Sequence, residues 1–274
     1  MIRLAVRCRA ADADRVLAEL LELVPGGVEE ERGAGWAEFA VYGPPGELPE
    51  LPDLEAGAGD GGVEVTTTEI PDDWADRWRD FHEPVVVGDG RLVVRPSWDR
   101  GAHERAEVDI VIDPGQAFGT GAHATTRMCL ELLLELADAG GARGELVDLG
   151  TGSGVLAIAA AKLGWDPVVA VDHERAALAA AEANARANGV ELELRRVNLR
   201  EQAPPAAPTM LANLTGPLLR DVAAALGDPP QNLVCSGLLA SEAEAVAGSL
   251  AAAGLAERNR LARSDWVALA FGRS

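Results

Sequence analysis

The sequence predicts an α/β protein in two parts, a small α+β module followed by a larger domain built on a mostly parallel sheet. From residue 145 onward, apolar segments of strand length occur in turn with helical patterns, and these strands lack polar alternation. Such strands are buried on both sides, which places helices on both faces of the sheet. The last two strand patterns, at 255–262 and 265–271, predict a closing antiparallel hairpin.

The first 70 residues mix strand and helix patterns and predict the small module. Residues 2–8 alternate apolar and polar residues, as a half-buried strand does. Apolar residues at helical spacing predict a helix over 12–24, which Pro25-Gly26-Gly27 ends. The remaining elements are a hairpin of strands at 28–32 and 36–42, a loop rich in Gly, Pro and Glu over 43–62, and a β-branched strand over 63–70. Together they predict a largely antiparallel sheet.

A helix is predicted between the two parts. Trp74, Trp78 and Phe81 are spaced i, i+4, i+7 and therefore share one helix face, which favours an amphipathic helix packed on a neighbour. We expect a small α+β domain over 1–70, a linker helix over 71–83 and the larger domain over 84–274.

The larger domain begins with short strands. They are predicted at 85–87, 91–95 and 108–112, ahead of a helix at 125–137. Five further strands are predicted at 145–149, 167–172, 192–197, 209–213 and 232–236. The helices among them are predicted at 155–163, 174–188, 216–226 and 240–253.

Charge and cysteine content exclude several classes of protein. The formal net charge is −20, so the chain lacks the basic footprint of a nucleic-acid-binding protein. Cys8, Cys129 and Cys235 are far apart in the sequence, which excludes a disulfide framework and a cysteine zinc cluster and is typical of a cytoplasmic protein. The N-terminus lacks the apolar core of a signal peptide, and no apolar stretch reaches the length of about 18 residues that a membrane span needs. We expect a cytoplasmic monomer without nucleic-acid or membrane contact.

Acidic residues are concentrated in the small module. Residues 1–70 hold 15 acidic residues and five arginines, half of the net charge in about a quarter of the chain. Such a module suits a basic protein partner, which long-range charge would steer towards it.

A glycine-rich loop lies between a predicted strand and a predicted helix. Residues 150–154 read Gly-Thr-Gly-Ser-Gly, after the strand that contains Asp148. Val155 stands where the dinucleotide fingerprint needs its third glycine, so the loop has the pattern of S-adenosylmethionine (AdoMet) sites instead. The next strand ends in Asp172, whose carboxylate can accept hydrogen bonds from both hydroxyls of a ribose. A structural βα turn, a nucleotide-binding dehydrogenase and a non-catalytic AdoMet-binding module stay open as alternatives.

The most specific motif covers residues 113–126, which read Asp-Pro-Gly-Gln-Ala-Phe-Gly-Thr-Gly-Ala-His-Ala-Thr-Thr. It resembles the signature of the ribosomal protein L11 methyltransferase family. Residues 148–156 and 212–214 (Ala-Asn-Leu) also match that family, as do Trp74, Trp78 and residues 95–98. The resemblance covers residues 71–274 well, whereas the first 70 residues match in pattern only.

The resemblance implies a class I, Rossmann-like methyltransferase domain and a ferredoxin-like N-terminal domain that recognises the substrate. It implies AdoMet-dependent methylation of lysine side chains and of the N-terminal α-amine of ribosomal protein L11. It makes Thr126, Gly150, Asp172 and Asn213 contacts of AdoMet, with Phe118 and Gly119–Gly121 as a wall over the ligand. With the loop residues added, the expected cofactor-binding set is Phe118, Gly119, Thr120, Gly121, Thr126, Asp148, Gly150, Thr151, Gly152, Gly154, Asp172 and Asn213.

Asn213 is also the expected catalytic residue. It ends a buried strand, and ligands of open α/β sheets bind beyond the carboxyl ends of strands. No aromatic residue follows it that could stack on a planar group, which favours a flexible aliphatic amine as acceptor. Another protein or a small-molecule amine stays open as the substrate.

Other polar residues of the 113–126 motif have two interpretations each. His123 is either a general base or a ligand of nearby backbone, and Thr125 or Thr126 can cap the following helix as well as contact the ligand. The other histidines, His82, His103 and His173, have no metal-like spacing with acids or cysteines, so we expect no metal.

Overall fold

The computed structural model describes residues 2–23, 28–43, 63–69, 83–99, 101, 106–113, 121–141 and 144–274. The chain divides into two compact units, residues 1–82 and 83–274. Most of the predicted loop at 43–62 and all but the last residue of the predicted linker helix at 71–83 lie outside the described residues.

The first unit is an antiparallel sheet with one described α-helix, which a short 3-10 helix (Ala10–Asp12) precedes. Its elements are β1 (Ile2–Arg9), α1 (Ala13–Leu23), β2 (Glu29–Gly33), β3 (Trp36–Gly43) and β4 (Glu64–Glu69). The strand order β2-β3-β1-β4, with α1 after β1, is that of a ferredoxin-like sheet. Leu4 and Val6 of β1 are buried, as is Leu17 of α1, so the apolar stripe of each element has a core to face.

One row of charged residues crosses this sheet. Register places Glu31 of β2 opposite Glu38 of β3, Glu38 opposite Arg7 of β1, and Arg7 opposite Glu64 of β4. Burial opposes ionisation of Glu38, but hydrogen bonds from Arg3 and Arg7, at 2.6 and 2.8 Å, hold the pKa of Glu38 below its usual range. Glu31 and Glu64 are exposed at the two ends of the row.

The second unit opens with a three-stranded sheet. Its strands are β5 (Val85–Val87), β6 (Leu92–Arg95) and β7 (Val108–Val111). β5 pairs antiparallel and β7 parallel with the central β6. The strands were predicted, but the sequence did not indicate that they form a sheet of their own.

The large sheet has seven strands and confirms the predicted architecture. They are β8 (Leu146–Leu149), β9 (Val168–Asp172), β10 (Glu193–Arg196), β11 (Thr209–Asn213), β12 (Asn232–Leu239), β13 (Leu255–Arg263) and β14 (Trp266–Arg273). The order is β10-β9-β8-β11-β12-β14-β13. β8 to β12 are parallel, and β14 is antiparallel to both of its neighbours, which makes the closing hairpin.

Among the described residues, five α-helices pack on this sheet, and a π-helical segment (Ala137–Gly141) follows the first of them. The α-helices are α2 (Ala124–Leu136), α3 (Val155–Leu163), α4 (Arg175–Ala187), α5 (Gly216–Ala225) and α6 (Ala243–Ala252). Buried residues of α5 and α6, such as Leu219 and Val246, form one core with Val147 and Leu149 of β8. Asp148 alternates with those two residues and therefore points to the opposite face.

The order in which successive strands join the sheet reverses at β8. From β8 the chain continues to β9 and β10 on one side, and then returns to β11 on the other side. In open α/β sheets, the crevice outside the carboxyl ends of the strands at such a switch point binds the ligand. The expected ligand site is therefore formed by the loop after β8 and the ends of β9 and β11.

Candidate functional site

The glycine loop after β8 has a backbone that only glycine adopts without strain. Gly150, Gly152 and Gly154 have φ values of 70°, 54° and 85°. The N–H groups of Gly150 and Thr151 both donate to the carbonyl oxygen of Val171, at 2.9 Å, which ties the loop to β9. A Cβ at Gly154 would lie 3.1 Å from the Cα of Ala181 in α4, so this glycine also permits close packing.

Asp172 is the last residue of β9 and is 9% exposed. One carboxylate oxygen accepts from the N–H of Gly152 at 3.1 Å, and the other accepts from the N–H of Glu174 at 3.0 Å. The imidazole Nδ1 of His173 lies 3.4 Å from Oδ1 as well. Because an ionised carboxylate has about four acceptor sites, these neighbours leave it capacity for the hydroxyls of a ligand.

Asp148 lies beneath the loop and is 1% exposed. The hydroxyl of Thr151 donates to Oδ2 at 2.7 Å, while among the described residues nothing donates to Oδ1. Burial raises the pKa of Asp148 to about 7, against the hydrogen bond from Thr151. Thr151 is also buried, so the side chains of this pair hold the loop from below.

Asn213 and Thr126 meet at the end of β11. The side-chain amide of Asn213 donates to the hydroxyl of Thr126 at 3.3 Å, across 87 residues of sequence. Thr126 lies in the first turn of α2, so this contact brings the start of α2 to the carboxyl end of the sheet. Two residues that the sequence assigned to the cofactor thus lie side by side.

His123 is the N-cap of α2, a role that the sequence analysis gave to Thr125 or Thr126. Its Nδ1 accepts from the N–H of Thr125 at 3.4 Å and lies 2.7 Å from the hydroxyl of Thr125. Its ring meets the ring of Trp266 edge-on, with centroids 4.9 Å apart. These contacts orient the imidazole and favour the structural interpretation of His123 over that of a general base.

Only part of the 113–126 motif is described. Gly121 is buried with φ 86°, and a Cβ there would lie 3.0 Å from Val94 of β6. The predicted wall residues Phe118, Gly119 and Thr120 lie outside the described residues.

Two asparagines that the sequence analysis missed connect the loops around the site. Asn184 of α4 donates to the carbonyl oxygen of Ser153 in the glycine loop at 2.8 Å. Asn188, which follows α4, accepts from the N–H of Val111 at 2.8 Å and donates to its carbonyl oxygen at 2.7 Å. Val111 ends β7, the strand that leads into the 113–126 motif. The only sequence signal was a pair of asparagines one helical turn apart.

Thiol and metal chemistry have little support in the described part of the chain. All three cysteines are free and buried, and burial raises the pKa of Cys235 to about 12. No group of three His, Cys, Asp or Glu residues is arranged as a metal site among the described residues. In the same described ranges, no helix is both long and apolar enough to cross a membrane.

The site fits AdoMet. Three of the five loop residues lack a Cβ atom, at the N-terminus of α3, and the Asp172 carboxylate next to the loop has acceptor capacity left. A buried carboxyl oxygen without a partner among the described residues, on Asp148, lies beneath the same loop. In its ionised form this group suits a ligand with a sulfonium and an ammonium group. Fold and site together define an AdoMet-dependent methyltransferase of class I.

Comparison with known proteins identifies the family. The model of the family described as "Ribosomal protein L11 methyltransferase (PrmA)" matches residues 51–274. The chain therefore belongs to the ribosomal protein L11 methyltransferase family.

Individual relatives agree with this assignment. The chain is 35% identical to the ribosomal protein L11 methyltransferase of Symbiobacterium thermophilum, over 98% of this chain and 97% of the relative. It is 42% identical to the protein of the same name from Pelotomaculum thermopropionicum, over 75% of this chain and 67% of the relative. The crystal structure of a ribosomal protein L11 methylase from Lactobacillus delbrueckii subsp. bulgaricus has a TM-score of 0.60 and 27% identity, covering 70% of this chain and 98% of that one.

Proposed function

We propose that this chain methylates lysine side chains and the N-terminal α-amine of ribosomal protein L11 in the cytoplasm, acting as a monomer. The observation that carries the choice of an amine acceptor is the environment of Asn213. Its amide is held by Thr126, and the residues that follow it, Leu214 to Pro217, offer no aromatic surface for a planar acceptor. The names of the relatives support L11 as the protein that bears the amine.

The cofactor-binding roles follow from the loop geometry. The backbone of residues 150–154 would hold the ligand against the start of α3, and Asp172 would accept its ribose hydroxyls. Thr126 and Gly121 would close the site from the side of α2, together with Phe118, Gly119 and Thr120. Asp148 and Thr151 would act from beneath, because their side chains are buried. When bound, AdoMet supplies a methyl group on a positively charged sulfur.

The chain must present a neutral amine to that methyl group. A free lysine has a pKa near 10.4, so roughly one in 10³ is neutral at pH 7.5, a handicap of about 4 kcal/mol. Removing the amine from water and aiming its lone pair offset this handicap. The side-chain oxygen of Asn213 can accept from the amine and orient it. Nδ1 of His123 already accepts from Thr125, which supports proton loss to water before methyl transfer.

The first unit is proposed to recognise the substrate. Arg7 and Arg3 neutralise Glu38 in the charged row across its sheet, while Glu31 and Glu64 stay exposed at the ends. A substrate that presents lysines is basic in the region to be modified, so negative charge on this unit favours its capture and makes it sensitive to salt.

Incubation with radiolabelled AdoMet and purified ribosomal proteins, followed by mass spectrometry, tests the acceptor. We expect label in L11 alone, on amino groups. Label in a different protein, or only in small amines, would instead favour the wider methyltransferase class. The Asp172→Ala variant is the control that shows dependence on the cofactor site.

A charge-neutralised variant tests substrate recognition. We expect Glu31→Gln combined with Glu64→Gln to raise KM for the ribosomal protein by about 3–10-fold at low salt with kcat unchanged, because exposed charges act mainly on encounter. The matched control is Glu182→Gln combined with Glu191→Gln, two exposed acids of the second unit. Equal KM values for the two double variants would remove the first unit from recognition.

A further inference from the structure

The carboxyl end of β12 contains a β-bulge that touches the turn after Asn213. The pairing of β12 with β14 shifts register between Cys235 and Leu238, and Gly237 within the bulge has φ 85°. The N–H of Leu214 donates to the carbonyl oxygen of Ser236 at 3.0 Å, which ties the residue after Asn213 to this bulge.

The backbone of Leu214 lies directly on Gly237. A Cβ at Gly237 would lie 2.4 Å from the carbonyl oxygen of Leu214, 2.8 Å from its carbonyl carbon and 2.9 Å from its nitrogen. All three atoms are main chain, so no side-chain rotation can relieve the overlap. Since ordinary contact begins near 3.4 Å, the Leu214 peptide would have to retreat by about 1 Å.

The side chain of Leu214 is held on the other side by the glycine loop. A Cβ at Gly150 would lie 2.4 Å from Cδ2 of Leu214. β11 lies between β8 and β12 in the sheet, so Leu214 sits between a glycine that follows one neighbour and a glycine within the other. Asn213 directly precedes this doubly held residue.

We infer that Gly237 and Leu214 are positioning residues for Asn213: the missing Cβ of Gly237 lets the Leu214 peptide close on β12, and Leu214 in turn fixes the direction of the Asn213 side chain. The inference rests on the proposed role of Asn213 in orienting the acceptor amine. A displacement of about 1 Å at a group that orients a reactant can cost about 100-fold in rate. The three atoms nearest to a Cβ at Gly237 all belong to Leu214, so Gly237 acts on methyl transfer through Leu214.

The first test is Gly237→Ala, measured by single-turnover methyl transfer at saturating AdoMet. We expect the rate to fall about 100-fold while the dissociation constant for AdoMet stays within about 3-fold of wild type. Gly254→Ala is the matched control, because Gly254 has φ 88° and a Cβ there would meet only Cγ of Pro229, at 3.5 Å. It carries the same backbone strain without the overlap, and its transfer rate is expected to stay near that of wild type. A Gly237→Ala enzyme within about 3-fold of the wild-type transfer rate would overturn the inference.

Leu214→Ala tests the same inference without a strained backbone, and so covers the case in which Gly237→Ala does not fold. Removing the side chain frees the residue from Gly150, and we expect transfer to slow about 10-fold with a smaller loss of AdoMet affinity, because Gly150 belongs to the cofactor loop. Unchanged transfer in this variant would show that Leu214 does not position Asn213.

The combination of Gly237→Ala with Asn213→Ala separates this inference from the role of Asn213 itself. If Gly237 acts through Asn213, the double variant is no slower than Asn213→Ala alone, because residues that act as a unit are non-additive. Multiplying losses would place the effect of Gly237 elsewhere and overturn the inference. Wild-type transfer by Asn213→Ala alone would instead refute the acceptor role of Asn213, a result that Gly237→Ala by itself cannot give.

Discussion

Charged side chains have different partners in two regions of the large sheet, the closing hairpin and the carboxyl ends of β8 and β9. On the closing hairpin, Arg260 pairs with Glu244 and Glu257, and Arg263 pairs with Glu131. At the carboxyl ends of β8 and β9, the carboxylates of Asp148 and Asp172 accept from hydroxyl and backbone N–H donors, and Nδ1 of His173 lies 3.4 Å from Asp172. Among the described residues no arginine or lysine pairs with either carboxylate.

The hairpin charges form ion pairs at the surface, whereas the carboxylates at the strand ends have no described arginine or lysine as a partner that would compete with a ligand. Exposed ion pairs contribute about 0–1 kcal/mol each and are screened by salt. A carboxylate held by neutral donors stays available to a ligand, and at Asp148 this arrangement costs stability once the group ionises. Four measurements test this difference.

The largest effect is expected in the pH dependence of stability through Asp148. Its pKa is about 7 when folded against a usual 3.8, so the folded state binds this proton more tightly. The stabilisation is complete below pH 4 and is lost as the pH rises through 7, by roughly 4 kcal/mol at about 1.36 kcal/mol per tenfold change. Asp148→Asn cannot titrate, so chemical denaturation of the ligand-free protein should show its stability gaining on wild type by that amount between pH 4 and pH 8. Parallel pH profiles for the two proteins would contradict the buried, ionisable assignment.

Asp172→Ala should weaken AdoMet binding with the fold retained. Loss of charged hydrogen bonds to two hydroxyls costs about 2–4 kcal/mol, or roughly 30–1000-fold in the dissociation constant. Calorimetry measures this directly, with Asp221→Ala on the exposed face of α5 as control. Near wild-type affinity would remove Asp172 from the cofactor site.

Asn213→Ala should lower the rate of methyl transfer about 100-fold, with a smaller loss of AdoMet affinity, because it removes an orienting hydrogen bond in the transition state. Single-turnover kinetics and mass spectrometry of the product report both the rate and the number of methyl groups. We expect the wild-type enzyme to add more than one methyl group to an amine, since a flexible amine can rotate and present its lone pair again. Asn232→Ala is the control, because Asn232 begins β12, at the edge of the sheet away from the site. A wild-type product that stops at one methyl group would count against the open aliphatic site.

The smallest effect is expected on the hairpin. Arg260→Ala should cost about 1 kcal/mol or less in the free energy of unfolding, and added salt should reduce the difference, because both of its ion pairs are at the surface. Thermal denaturation at low and high salt measures it, with methyl transfer unchanged. A loss of several kcal/mol would show that the ion pairs of the hairpin contribute as much to stability as the groups of the site.

Sequence patterns predicted the described strands and α-helices of both units, because burial leaves a period in helices and half-buried strands and a continuous apolar run in strands buried on both sides. They also predicted that the glycine loop, Asp172 and Asn213 share one edge, since parallel strands end at the same edge of a sheet. Thr126 was assigned to the cofactor by the family resemblance, and its contact with Asn213 was not predicted.

Features that depend on tertiary contact escaped prediction. The side-chain amide of Asn188 forms hydrogen bonds with Val111, 77 residues away in the sequence, and no local sequence pattern predicts that contact. Gly237 is not part of any motif recognised in the sequence, and its contact with the backbone of Leu214 becomes evident only in the folded structure. The cap at His123 was missed because a histidine ring is an uncommon N-cap beside two threonines.

The pairing of Asn188 with Val111 has a consequence for solubility. β7 is the outer strand of its three-stranded sheet, and the N–H and C=O of Val111 point away from β6, the direction from which another chain would add a strand. The side-chain amide of Asn188 takes both groups, as a neighbouring strand would. One asparagine thereby occupies the edge groups of Val111, and so hinders edge-to-edge aggregation at that residue.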